Sequence, residues 1–212
     1  MKPLWNSIRA PRARGGRWAV AISCALALLL GVTLGIFAKW LDNLSLNEAI
    51  WWHRCLGALD LRNVFSDLPV WLVLALALSV YSGTPLRAAL RVFFFFAGMC
   101  SSYHIWTVLF SGFDPGRYMW IWYGLTLLSP ALAFVCWYGR GTSAASIALD
   151  AGILAVLLCL CFSIGPWYVF LRSSVNTFLF LVSAAMLFVS PKQMALSLLG
   201  AILLAFGLRL VF

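Results

Sequence analysis

An all-α, polytopic transmembrane helix bundle is the fold class that this sequence predicts, on three observations. Of its 212 residues, 64% are hydrophobic and only 10% are Asp, Glu, Lys or Arg, where a soluble domain carries about 25% charged residues. The mean hydropathy is +0.97. At this length surface still dominates volume, so a water-soluble fold needs far more polar residues to cover itself. Finally, the apolar residues fall into runs separated by Gly, Pro and basic residues, and about 20 consecutive apolar residues cross a bilayer as a helix.

Seven spans follow in order, forming one transmembrane domain over 18–212 behind a basic N-terminal segment, 1–17. The first, 18–38, is too long for a signal-peptide core and ends in Lys39-Trp40 instead of a cleavage site, so it reads as an uncleaved span. The interval 41–67 holds Ser45 and Glu48, spaced as a capping box. Ala49, Trp52, Leu56 and Leu59 then recur at helical steps. A short interfacial helix is expected there. The second span, 68–82, is short and can extend into 64–67 or sit in thinned bilayer. Pro85 opens the third, 88–110. A Ser-Gly-Phe-Asp-Pro-Gly break leads to the fourth, 118–138, which contains Pro130. Spans at 145–165, 174–190 and 194–211 complete the count. If the second span is re-entrant, six remain. The links are short, which predicts that sequence neighbours are antiparallel neighbours in space, and no internal repeat is visible.

The net charge of +9 would suit a nucleic-acid partner in a soluble protein. Here the basic residues punctuate apolar runs and set orientation instead, so no nucleic-acid partner is expected. With seven spans, the N-terminal side collects nine basic residues and one acid, Asp150, and the opposite side six basic residues and five acids. That bias places the N-terminus in the cytoplasm and the C-terminus outside. Trp18, Trp40, Trp71, Trp120, Trp137 and Trp167 fall near span ends, where indoles favour the interface.

Few residues offer chemistry. Asp150 is expected in the first turn of the fifth span, where an acid is costly unless it is paired, capped or functional. Its expected role is structural, joining the third, fourth and fifth spans through Arg91 or Arg140; a proton or cation site is the alternative. His104 reads as an interhelical hydrogen-bonding group, beside Tyr103 and Ser102. Gly98, Ser101 and Ser102 form a small-residue face suited to close helix packing. The six cysteines lack metal-site spacing, and no zincin, Walker, nucleophile-elbow or paired-carboxylate pattern occurs. No metal, cofactor or catalytic residue is therefore expected, and an enzyme is the least favoured class.

The stretch RAALRVFFFFAGMCSSYHIWT and the following MWIWYGLTLLSPALAFVCWYGRG, over about 85–141, resemble an uncharacterised family of small bacterial multi-span membrane proteins. The carrying pieces are Ser102-Tyr103-His104, Leu128-Ser129-Pro130 and Gly139-Arg140-Gly141. The resemblance implies a bacterial inner-membrane location and no activity. Two functions are expected from the residues. One is a small-solute transporter or permease, because nearly all the mass lies in the membrane. The other is an accessory, scaffold or assembly protein of a membrane complex. Lipids are the expected surroundings, with a second copy or another membrane protein as partner.

Overall fold

The computed structural model describes residues 8–11, 16–165 and 168–211, without the side chains of 209–211. Lys2, Arg12, Arg14, Trp167 and Phe212 lie outside the described residues, as does the side chain of Arg209. The chain is a helix bundle: α1 (Arg17–Asn43), α2 (Trp51–Ala58), α3 (Leu61–Ser66), α4 (Leu68–Val80), α5 (Pro85–Phe110), α6 (Arg117–Cys136), α7 (Ala144–Cys161), α8 (Ser174–Leu187) and α9 (Pro191–Val211). Leu26, Leu29, Ile121, Leu127, Phe178 and Leu203 are each at least 60% exposed. Their helices are apolar all round, so they face lipid instead of water.

Among the described residues, five helices, α1, α5, α6, α7 and α9, are long and apolar enough to cross a membrane. This is fewer than the seven expected. The remaining two, α4 and α8, have 13 and 14 residues. At 1.5 Å per residue each reaches only about 20 Å, short of a hydrocarbon core of about 30 Å.

The contacts give each helix a direction. Gly98 lies on Leu28, Gly31 on Phe95 and Met99, Gly35 on Met99 and Ser102, and Asn43 bonds Ser111. Helices α1 and α5 therefore run parallel, although they are separated by the returning α4. Near the start of α5, Arg91 reaches Ser82, just past the end of α4, so α4 runs against α5. The second half repeats this order. Gly200 of α9 faces Ala151 of α7, Ser197 earlier in α9 meets Ile147 earlier in α7, and α9 touches the strand that follows α7. Leu187, ending α8, meets Gly139 just ahead of α7. Two long–short–long groups, α1/α4/α5 and α7/α8/α9, are thus joined by α6, and α4 packs on α8 between them.

The closest pairs are parallel, α1 with α5 and α7 with α9, while the expected antiparallel packing of sequence neighbours is seen for α4 with α5 and α5 with α6. The short return helices leave each long pair free to meet directly. Two buried clusters match the halves: Val92, Phe95 and Met99 centre one, and Leu154, Leu187 and Ala201 the other.

Local differences from the sequence reading have physical causes. The expected capping box does not form, and α2 begins at Trp51 with no side-chain cap. Instead, the Asn47 N–H donates to His53 Nδ1 at 2.8 Å and Asn47 Oδ1 accepts from the Ala49 N–H at 3.0 Å, a local turn that competes with helix. Only His53 of α2 is buried, and Asp60 at φ 49° separates α2 from α3. Helix α7 stops at Cys161, where β1 (Phe162–Ile164) pairs antiparallel with β2 (Val169–Leu171). This small hairpin was not expected. Trp71 and Trp137 are 2% and 1% exposed, so they are core residues and not interface anchors. Their indole N–H groups donate to Phe65 O and Ser82 O, as buried tryptophans require.

Candidate ligand cleft and the polar sites around it

A cleft of about 410 Å³ opens between α4, α6 and α7, with Val92 and Phe96 of α5 at its back. Leu72, Leu76, Leu125, Leu149, Ile153 and Leu157 dominate its walls, and Gly152 leaves space on the α7 side. An added methyl at Gly152 meets no atom within 4 Å. A volume of 300–1,000 Å³ is ordinary for a ligand site.

Two serines line the cleft, and both hydroxyls are engaged. Pro130 has no N–H to offer the Thr126 carbonyl. The Ser129 hydroxyl donates to that carbonyl instead, at 2.8 Å, which lets α6 continue through the proline. Ser79 donates to Ala133 O at 2.7 Å, tying α4 to α6. The surface left to a ligand is apolar.

At one rim, the Gly139-Arg140-Gly141 turn is held by Asp150. This acid is fully buried and lies well inside α7, not in its first turn. Its Oδ1 accepts from the Arg140 backbone N–H at 3.1 Å and its Oδ2 from Gln193 Nε2 at 2.7 Å. The expected guanidinium partner is replaced by a backbone amide and a glutamine. Asp150 therefore joins α7 to the turn after α6 and to α9, and leaves the third span, α5, untouched. The expected third-, fourth- and fifth-span tie is corrected accordingly. Arg140 takes φ 60°. A Cβ at Gly139 would lie 2.5 Å from Asp150 Oδ1, so the turn closes on the carboxylate only without one. The Arg140 guanidinium stacks 5.3 Å from the centre of the Tyr81 ring. Arg91 donates to Ser82 Oγ at 3.2 Å.

The other sequence candidates diverge. Ser102 donates to Met99 O within its own helix, Tyr103 donates to Asp42 Oδ2 at 2.9 Å, and His104 meets Tyr123 Oη at 2.7 Å and Asp114 at 3.3 Å. His104 thus bonds between helices, as expected, but the three neighbours build no common site. Gly98 and Ser102 face α1, whereas Ser101 is exposed and off that seam. Sequence reasoning passed over Lys39 and Asp42. The Lys39 ammonium lies 3.9 Å from Asp42, is nearly buried, and sits over Tyr103 and Phe113. Its signal was the three-residue spacing of opposite charges at a span end.

Asp114 is held below the usual carboxylate range, first by the Gly116 N–H and then by His104. A depressed folded pKa favours this turn above the ordinary Asp value of about 3.9 and loses that contribution as pH falls through the lower folded value. Protection of the Gly116 amide in hydrogen exchange should therefore persist to below about pH 4. Asp114→Asn should lower the protection near neutral pH and flatten its pH dependence. Equal protection in both proteins would contradict the assignment.

Among the described residues, no group of three or more His, Cys, Asp or Glu side chains could hold a metal ion. No family model, curated protein or solved structure matches this chain.

Proposed function

We propose that this protein is a seven-pass carrier that takes apolar or amphiphilic molecules from the bilayer into the cleft between its two three-helix groups. The observation that carries this reading is the apolar cleft itself, placed at the depth of the spanning helices and lined by engaged serines. The buried acid at the rim offers a polar solute little, because Asp150 is consumed by the 139–141 turn and by Gln193. The substrate class narrows from small solutes in general to molecules that dissolve in lipid.

Seven passes are supported by the alternation of direction. Parallel α1 and α5 require the chain to return between them, and α3 with α4 supplies that return; α8 does the same between α7 and α9. The end where α1 starts carries Arg9, Arg17, Arg87, Arg91, Arg140 and Lys192 among the described residues, with Asp150 the one acid. Such a basic end belongs on the cytoplasmic side of a bacterial inner membrane, with the C-terminus outside. The work is binding and passage, not catalysis.

Gly152→Phe tests the reading, because the ring enters open space and fills the cleft. Wild-type protein in proteoliposomes should show saturable transfer of a fluorescent long-chain alcohol, and Gly152→Phe should reduce it at least tenfold with the melting temperature preserved. Transfer that stays equal in both proteins would remove the carrier reading. An accessory role is the outcome if the wild type neither binds nor transfers the probe.

A further inference from the structure

We infer that the occupant of the cleft is an anionic phospholipid, with one acyl chain between α4, α6 and α7 and its phosphate at Arg140. The inference rests on the cleft reading and adds the headgroup chemistry. Arg140 lies four positions past cleft-lining Cys136, in the turn beyond the end of α6, and its backbone N–H bonds Asp150, the residue after cleft-lining Leu149. On α4, cleft-lining Ser79 is followed two positions later by Tyr81, the ring beneath the Arg140 guanidinium. Arg140 therefore stands at the end of the cleft where α4 and α6 stop.

The bonding state of Arg140 fits a phosphate. Its backbone N–H is committed to Asp150, and its guanidinium carbon lies over the Tyr81 ring, 5.3 Å from the centre. The donors of a guanidinium lie in its plane and match phosphate oxygens two at a time. No carboxylate pairs with this side chain among the described residues. Two neighbouring guanidiniums bond within the protein: Arg9 donates to Trp137 O and Val80 O, and Arg91 Nη1 to Ser82, although Arg91 Nε is buried without a partner. They keep this end positive while leaving Arg140 as the cation at the cleft. Basic pockets between membrane helices are a known physical solution for acidic headgroups. A free fatty acid has the same chain and a carboxylate, but its single charge carries fewer acceptor oxygens than a phosphodiester bridging to glycerol.

The test uses the full chain in mixed micelles, with fluorescent-acyl phosphatidylglycerol and phosphatidylcholine bearing identical chains, and oleate as competitor. Wild type should bind phosphatidylglycerol at least tenfold more tightly than phosphatidylcholine, with oleate a weaker competitor than unlabelled phosphatidylglycerol. Arg140→Asn suits the positive φ and keeps the backbone N–H. It should cut the preference below threefold by weakening phosphatidylglycerol more than phosphatidylcholine, whose choline cation already offsets its phosphate and opposes a second cation beside it. Tyr81→Leu, on an exposed side chain, should lower the preference by a smaller factor. A preference that survives Arg140→Asn, or an equal loss for both lipids, overturns the headgroup assignment. Tighter binding of oleate overturns the choice of phospholipid. Either result leaves the cleft reading standing if Gly152→Phe still abolishes binding of both lipids. If Gly152→Phe binds both normally, the cleft reading fails along with this one.

Discussion

Gly31→Leu should detach α1 from the bundle and give the largest loss of stability of any single change along the α1–α5 seam. A Cβ at Gly31 would overlap the Phe95 carbonyl oxygen and lie 3.0 Å from the Met99 nitrogen. The same seam would put a Cβ of Gly35 2.5 Å from Met99 O, and one of Gly98 2.5 Å from Leu28 O. These obstacles are backbone atoms, which no rotamer change can move, so the helix axes must part. Overpacking that side chains can absorb costs about 1–3 kcal/mol, and a forced separation of two helices should exceed that range. Gly124→Leu is the control, because a Cβ there meets nothing within 4 Å; its effect should stay within about 1 kcal/mol. Detergent melting of the two variants decides the matter. Equal melting temperatures would mean that α1 is not held by this seam.

How much of this was legible beforehand differs from residue to residue. The helix boundaries were, because Gly, Pro and basic residues interrupt the apolar runs; Arg117–Cys136 and Ser174–Leu187 fall close to the expected 118–138 and 174–190. The α1–α5 seam was half legible. Gly98 was read as a packing residue, while its partners Gly31 and Gly35, four residues apart as small packing pairs often are, were passed over. Which helix Gly98 would meet was not legible at all. Spans that are apolar on every side carry no amphipathic period to mark a buried face. The cleft was invisible for a related reason. Its Leu, Ile and Ala residues are the same types that fill the packed core, and only three-dimensional spacing separates an empty contact from a filled one. Among polar residues, Asp150 was recognisable as costly, but its partner Gln193 lies 43 positions away and an amide attracts no attention in a search for counter-charges.

The Asp150–Gln193 pair gives the sharpest reversal test. Asp150→Ala removes the acceptor of the Arg140 N–H and the shortest bond of Gln193 Nε2, which keeps Leu187 O at 3.3 Å and Ser197 Oγ at 3.5 Å. The orphaned Arg140 N–H sets the scale of the loss, about 1–3 kcal/mol. Asp150→Asn retains one acceptor and turns an NH₂ group towards a donor. Gln193 cannot simply rotate its amide to compensate, because its Oε1 accepts from the Val189 N–H at 3.2 Å. Gln193→Glu in the wild-type background should also destabilise, since it sets two carboxylates face to face. Combined, Asp150→Asn and Gln193→Glu restore donor against acceptor, with one carboxylate oxygen still available to Val189. The double variant should therefore be more stable than the sum of the two single changes by about 1–3 kcal/mol, the usual coupling of residues in direct contact. Additive losses would show that the pair does not act as a hydrogen-bonded unit. A different failure points elsewhere: if Asp150→Asn melts like the wild type yet abolishes transfer of the alcohol probe, the charge itself is required. Asp150 would then be a proton or cation site coupled to passage, and the 139–141 turn its gate instead of its anchor.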